Sequence, residues 1–193
     1  MVGLTAAFVF AAQMVNFPVA NGTSGHVLGG VLAAVLVGPW AGTLAVTVVL
    51  GVQALVFADG GLSALGLNVI NMAIVGAIAG YVIFVAVRTL PWVARRGDVS
   101  AVTVASGFAA AAAPVLAAVM FTVEYAVGGN DAASVGTVLL SVVGVHVLIG
   151  IGEGVITAMA VSAVMATRPD LVYGAPIRTT GTGRHLAGAG ARS

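Results

Sequence analysis

The sequence predicts an all-α protein, a polytopic bundle of six transmembrane helices. Of the 193 residues, 60% are hydrophobic and 7% are charged, whereas a soluble domain has roughly a quarter charged residues. The apolar stretches are continuous, and their lengths suit membrane helices of about 20 residues better than barrel strands of about 10. Because only helices and closed barrels satisfy their backbone polar groups in lipid, these observations favour a helical bundle.

Six apolar stretches follow one another along the chain, separated by polar or glycine-rich segments. They cover residues 4–19, 27–37, 40–58, 67–87, 101–127 and 132–167. The second stretch has about 11 residues, so it is either a re-entrant segment or a tilted span that extends back toward Asn21. We expect a span, because Gly38-Pro39-Trp40 resembles a tight turn at the membrane interface.

The domain organisation is one bundle followed by a tail. Residues 1–167 form the predicted bundle, and residues 168–193, rich in Gly, Thr and Arg, are expected to be a disordered tail. The arginines of segment 88–96 fall on the same side as the tail, and the positive-inside rule makes that side cytoplasmic. We therefore expect a multi-pass protein of the inner (plasma) membrane. The chain has no cysteine, which excludes thiolate ligands and disulfides.

Several polar side chains lie within or beside the apolar stretches. They are Gln13, Asn16, His26, Gln53, Asn68, Asn71, His146 and Glu153. Such residues are costly in a membrane and usually face the interior of a bundle or a cavity. The amides are interpreted as interhelical hydrogen-bonding groups. Gln13 and Asn16 are three residues apart, as are Asn68 and Asn71, so each pair is expected to share a helix face.

The glycine-rich segment 17–30, FPVANGTSGHVLGG, carries the most informative residue, His26. Imidazole is a common ligand of nickel, cobalt, copper and zinc; the alternative is a histidine that bonds local backbone at a helix N-terminus. A single histidine cannot hold a metal selectively, so further ligands must come from elsewhere. His146 and Glu153 share one face of the last helix about 10 Å apart along the axis. Each of them is otherwise explained by hydrogen bonds to neighbouring helices.

Four segments of the chain resemble one transporter family. They are FAAQMVNFPVANGTSGHVLGG, VLVGPWAG, VQALVFADGGLSALGLNVINMAIVG and GVHVLIGIGEGVITA. They are similar, in family order, to the CbiM/NikM family, the substrate-binding S components of energy-coupling-factor (ECF) transporters for cobalt and nickel. The resemblance implies Co²⁺ or Ni²⁺ as the transported substrate and no cofactor of its own. It also implies a transmembrane coupling subunit, cytoplasmic ATPase subunits and a small accessory membrane subunit as partners in the bilayer, and no nucleic acid.

The resemblance further implies a metal site near the outer face. In that family a histidine of the first external loop, here His26, binds the ion together with an amino-terminal amine and a histidine directly after the initiator Met. His146 is a further candidate ligand, and the candidates for supporting the site are Asn16, Ser24, Asn68, Asn71 and Glu153. The family begins with a Met-His segment and one further helix, whereas this sequence begins Met1-Val2-Gly3. Either the start is placed too far downstream or the subunit is degenerate. We expect the S-component bundle with six spans and without the family's first helix, and weak metal binding by the chain itself.

Two other functions stay open at the level of the sequence. One is a passive ion channel lined by the intramembrane amides and Glu153, and the other is a degenerate membrane subunit that binds no metal. An enzyme would need a nucleophile with its base or a complete metal triad, and the sequence suggests neither. A Walker motif is also missing from the sequence, so we expect a transporter subunit without its own ATPase or catalytic activity.

Overall fold

The computed structural model describes residues 1–14, 16–18, 24–129 and 132–175. Its helices are α1 (Val2–Gln13), α2 (Gly30–Val37), α3 (Pro39–Val56), α4 (Leu62–Arg88), α5 (Pro91–Ala94), α6 (Asp98–Gly128) and α7 (Val135–Thr167). Two short strands, β1 (Asn16–Pro18) and β2 (Ser24–His26), pair antiparallel between α1 and α2. The prediction of a helical membrane bundle is confirmed, with this small hairpin added to it.

Four of the helices in the described residues are long and apolar enough to cross a membrane. They are α3, α4, α6 and α7. By contrast, α1 has 12 residues and α2 has 8, and an 8-residue helix is only about 12 Å long. Six membrane spans therefore stay a prediction.

The two short helices are shorter than the hydrophobic pattern predicts, α1 at its end and α2 at its start. Helix α1 stops at Gln13, and Asn16 lies in β1, so Gln13 and Asn16 do not share a helix face. Pro18 disfavours helical conformation at the residue before it, which agrees with an extended segment here. The predicted extension of the second helix toward Asn21 is wrong, because β2 precedes α2, which begins only at Gly30.

Helix α4 is irregular along its length. It passes from a 3₁₀ turn (Leu62–Ala64) through an α-helical turn into a π-helical stretch (Val69–Ala79) and ends as an α-helix. This stretch packs against the start of α2, where a Cβ at Gly30 would lie 2.5 Å from the carbonyl carbon of Gly76. Only a glycine at position 30 allows this approach, so α2 begins in direct contact with the backbone of α4.

Helices α6 and α7 form a closely packed pair. A Cβ added at Gly154 would lie 2.7 Å from the carbonyl oxygen of Gly107, and one added at Gly150 would overlap the carbonyl of Ala111. Small residues allow membrane helices to approach in this way. The remaining surface of α7 is largely apolar and exposed: only 11% of the apolar stretch of this helix that is long enough to cross a membrane is buried.

The first residues after α7 pack onto the bundle. Val172 is buried, and the backbone N–H groups of Tyr173 and Gly174 donate to the carbonyls of Leu36 and Val35, at 3.2 and 2.9 Å. These carbonyls belong to the last turn of α2, where a helix has no internal donors left. The tail predicted from residue 168 is therefore part of the packed protein as far as Ala175; residues 176–193 lie outside the described part.

Candidate functional site

A non-helical segment of backbone, residues 27–29, joins β2 to α2 inside the bundle. Leu28 has 3% of its surface exposed. Gly29 has a φ angle of 69°, and a Cβ there would come within 2.8 Å of Val9, so glycine is required on both grounds. Because non-helical backbone at membrane depth must find hydrogen-bond partners within the protein, this segment needs donors and acceptors from neighbouring helices.

Two buried side chains provide these partners. The Glu153 carboxylate on α7 accepts hydrogen bonds from the backbone N–H of Leu28 (2.7 Å) and of Gly29 (2.9 Å). From α1, the Gln13 side-chain amide donates to the carbonyl of Leu28 at 2.7 Å. Glu153 and Gln13 thus hold the segment from two sides.

His26 lies at the end of β2, two residues before Leu28, and is partly buried. Its Nδ1 is 2.9 Å from the carbonyl oxygen of Val27. In the tautomer with the proton on Nδ1, the ring donates to this carbonyl and Nε2 keeps a free lone pair. The predicted bond to local backbone is therefore present, and it is also the kind of bond that orients a histidine for metal binding.

His146 shows the same arrangement on α7. It is partly buried, and its Nδ1 is 2.7 Å from the carbonyl oxygen of Val142, one turn earlier. Strand β2, which ends at His26, packs against α7, the helix that carries His146. The structure therefore brings the two predicted histidines into one region, whereas Glu153 bonds the segment next to them.

The other predicted side chains do not gather around His26 through the contacts described. Asn71 donates to a carboxylate oxygen of Glu124 at 2.7 Å and joins α4 to α6. Asn68 donates to the carbonyl of Gly60 at 3.1 Å. Asn71 therefore forms an interhelical hydrogen bond, and Asn68 bonds a loop. The side chains of Asn16 and Ser24 lie outside the described residues, although the backbone of Asn16 pairs opposite His26.

Sequence reasoning missed the bonds from Glu153 and Gln13 to residues 28 and 29. A general signal existed, because a carboxylate in an apolar helix needs N–H donors and a glycine-rich segment outside a helix offers them. Within the described part of the chain, no three His, Asp or Glu side chains converge as a ready metal cluster. His26 and His146 thus stay candidate ligands.

A multi-helix bundle whose buried polar side chains hold a non-helical segment between helices is an arrangement found in membrane transporters. The family model of CbiM, the cobalt uptake substrate-specific transmembrane region, matches residues 1–171. The chain belongs to this family of membrane proteins for metal uptake, and its long apolar helices make it a multi-pass membrane protein.

Individual relatives are named as metal transport proteins. The chain is 40% identical over 179 residues to the cobalt transport protein CbiM of Sorangium cellulosum, covering 89% of this chain and 75% of the relative. It is 45% identical over 172 residues to a protein of Archaeoglobus fulgidus that bears the name of a fused nickel transport protein, NikMN. That match covers 88% of this chain but only 54% of the relative. A crystal structure of a truncated transition metal transporter matches with a TM-score of 0.70 and 27% identity, covering 86% of this chain and 79% of that one.

Proposed function

We propose that this protein is the substrate-binding subunit of an ATP-driven cobalt or nickel importer, and that His26 is a ligand of the captured ion. The family match over residues 1–171 carries this proposal. The structure adds a physical basis for it, because Glu153 and Gln13 fix the backbone directly after His26. A ligand held by its surroundings loses less conformational freedom when the ion binds.

The proposal includes partner chains that supply the energy. They are the transmembrane coupling subunit, the cytoplasmic ATPase subunits and the small accessory membrane subunit of an ECF transporter in the inner membrane. The sequence contains no phosphate-binding loop of the Walker type, so hydrolysis would take place on another chain. The exposed apolar surface of α7, which includes Leu140, Leu148 and Met159, leaves room for membrane partners or lipid.

The buried polar groups give less support to a passive channel. Both carboxyl oxygens of Glu153 bond backbone amides, so Glu153, the acidic side chain that would line such a pore, is occupied with protein partners. A conducting pore needs polar groups that exchange with hydrated ions. We therefore favour capture of the ion over passive flow.

Equilibrium binding of Ni²⁺ and Co²⁺ to the purified full chain in lipid nanodiscs tests the role of His26. We expect His26→Ala to lower the affinity at least tenfold. The affinity of the unmodified chain should also fall with decreasing pH, because a protonated imidazole has no lone pair for the metal. His185→Ala, in the tail, is the matched control and should leave the affinity unchanged.

Equal binding by the His26→Ala variant would contradict the assignment of this ligand. A second measurement separates capture from a channel. Liposomes containing the chain alone should show no Ni²⁺ influx in the absence of ATP and partner subunits. Rapid influx under those conditions would instead establish the passive channel.

A further inference from the structure

The bonds of Glu153 set the register between the His26 segment and helix α7. The carboxylate is bonded to the N–H groups of both Leu28 and Gly29, so these residues lie beside Glu153 on the helix. His26 precedes Leu28 by two residues, which extends the chain by at most about 7 Å. His146 precedes Glu153 by seven residues, a rise of about 10 Å along the helix axis.

The step from Leu28 back to His26 and the step from Glu153 back to His146 lead toward the same end of the bundle. Helix α7 runs from its start near Tyr125, whose hydroxyl bonds Ala133, toward the end where Tyr173 packs against α2. Helix α2 runs in the same direction, because it also ends at the Tyr173 contact, and the segment from His26 to Gly29 leads into its opposite end. His26 and His146 therefore lie at similar depth in the bundle.

The two histidines also share a side of α7. A spacing of seven residues is close to two full helical turns, so His146 projects from the same face as Glu153. That face contacts residues 28 and 29 through the Glu153 bonds, and β2 itself packs against α7.

We propose that His26 and His146 bind the same divalent transition-metal ion through their Nε2 atoms. This inference rests on the proposed function and adds a second ligand to it. In each ring Nδ1 is engaged by a backbone carbonyl, at 2.9 Å for His26 and 2.7 Å for His146, which leaves Nε2 as the coordinating atom. Neither ligand depends on the amino-terminal end of the chain.

The chemistry of two imidazoles selects a class of ion. Imidazole suits Ni²⁺, Co²⁺, Cu²⁺ and Zn²⁺, whereas Mg²⁺ and Ca²⁺ prefer oxygen ligands. Two imidazoles leave further coordination positions for water or for other nitrogen donors. Such an incomplete set of ligands suits a transported ion, which must be bound and later released.

A spectroscopic count of the coordinating imidazoles tests the proposal directly. The full chain has three histidines, so the His185→Ala variant in nanodiscs retains only His26 and His146. Cu²⁺ is the probe, and pulsed electron paramagnetic resonance counts the imidazoles bound to it. We expect two imidazoles in this variant and one after the further change His146→Asn. Ni²⁺ affinity should fall at least tenfold with the same change.

The asparagine variant separates a ligand from a structural histidine. The amide of His146→Asn can still donate to the carbonyl of Val142 in place of Nδ1, but it has no counterpart of Nε2. Retained Ni²⁺ affinity in this variant, or a count of one imidazole before the change, would overturn the shared site. If His26→Asn lowers Ni²⁺ binding and His146→Asn does not, the inference fails while the proposed function stands. If neither change matters, both fail.

Discussion

At the scale of single residues, Glu153 is a buried acidic side chain whose two carboxyl oxygens both bond backbone N–H groups. It is 2% exposed and accepts two backbone hydrogen bonds from residues 124 and 125 positions earlier in the chain. Without these bonds, two backbone N–H groups would be buried and unpaired, which costs about 1–3 kcal/mol for each group. The carboxylate therefore links the last helix to the segment that carries His26.

Replacing Glu153 with Gln should destabilise the protein by about 1–3 kcal/mol. The glutamine has one acceptor oxygen for two N–H donors, and its own NH₂ group would face the second donor. Glu124→Gln is the matched control, because Glu124 accepts a described side-chain bond only from Asn71 and a glutamine oxygen can replace that acceptor. The free energy of unfolding in detergent, measured by far-UV circular dichroism, compares the two variants. Equal losses would contradict the special role of Glu153.

The sequence identified His26, His146 and Glu153 as candidates and offered local backbone as the partner of His26, but it did not identify the partners of the other two. Residue type and membrane burial single out these side chains, since ionisable groups in apolar stretches are rare. Their partners are backbone atoms of Leu28, Gly29, Val27 and Val142. A backbone group leaves no trace in residue identity, and a pairing across more than 100 positions has no periodic signal, so the bonding of Glu153 could not be predicted.

At the scale of helices and strands, the long apolar stretches were predicted well and the short ones were not. Helices α3, α4, α6 and α7 coincide with predicted stretches to within a few residues, because continuous apolar sequence of this length has few other stable forms in lipid. Residues 16–29 are rich in glycine and contain Pro18. The conformation of the described residues 16–18 and 24–29 depends on the pairing of β1 with β2 and on the bonds from α1 and α7, which local propensity does not encode.

Close packing of α6 and α7 predicts different results for two glycines on the same helix. Gly150→Ala should lower the free energy of unfolding by about 1–3 kcal/mol, because the new methyl group would overlap the carbonyl of Ala111. Gly152→Ala should be neutral or stabilise by up to about 1 kcal/mol, since no atom lies within 4 Å of its added Cβ. Thermal unfolding of the two variants in the same detergent measures this difference in stability. Similar midpoints for both variants would mean that α7 can move away from α6.

At the scale of the whole protein, the segments that carry Arg88 and Arg168 lie at one end of the bundle. One end has the Arg88 side chain bonded to the carbonyl of Gly174, and Gly38 in contact with Tyr173. The exposed pair of Arg168 and Asp170 lies just after α7, and its hydrogen bonds hold the pKa of the Asp170 carboxyl below its usual range. The segment from Arg88 and the residues after α7 therefore meet at one end, as the sequence predicts.

The orientation of these ends in the membrane follows from the positions of the arginines. Since basic residues are retained on the cytoplasmic side, the end with Arg88 and Arg168 should face the cytoplasm. A native chain without cysteine allows single cysteines to report accessibility. Cysteines placed at Ser100 and Ser193 should resist an impermeant maleimide added outside intact cells and react after the cells are opened.

A cysteine at Ser63 is the matched control for this experiment. Ser63 is exposed in the first turn of α4, and Arg88 ends the same helix, so the two positions lie at opposite ends of the bundle. Ser63→Cys should react with the reagent in intact cells. Labelling at Ser100 and protection at Ser63 would mean the reverse orientation, and the His26 region would then face the cytoplasm, where it could not capture an ion arriving from outside.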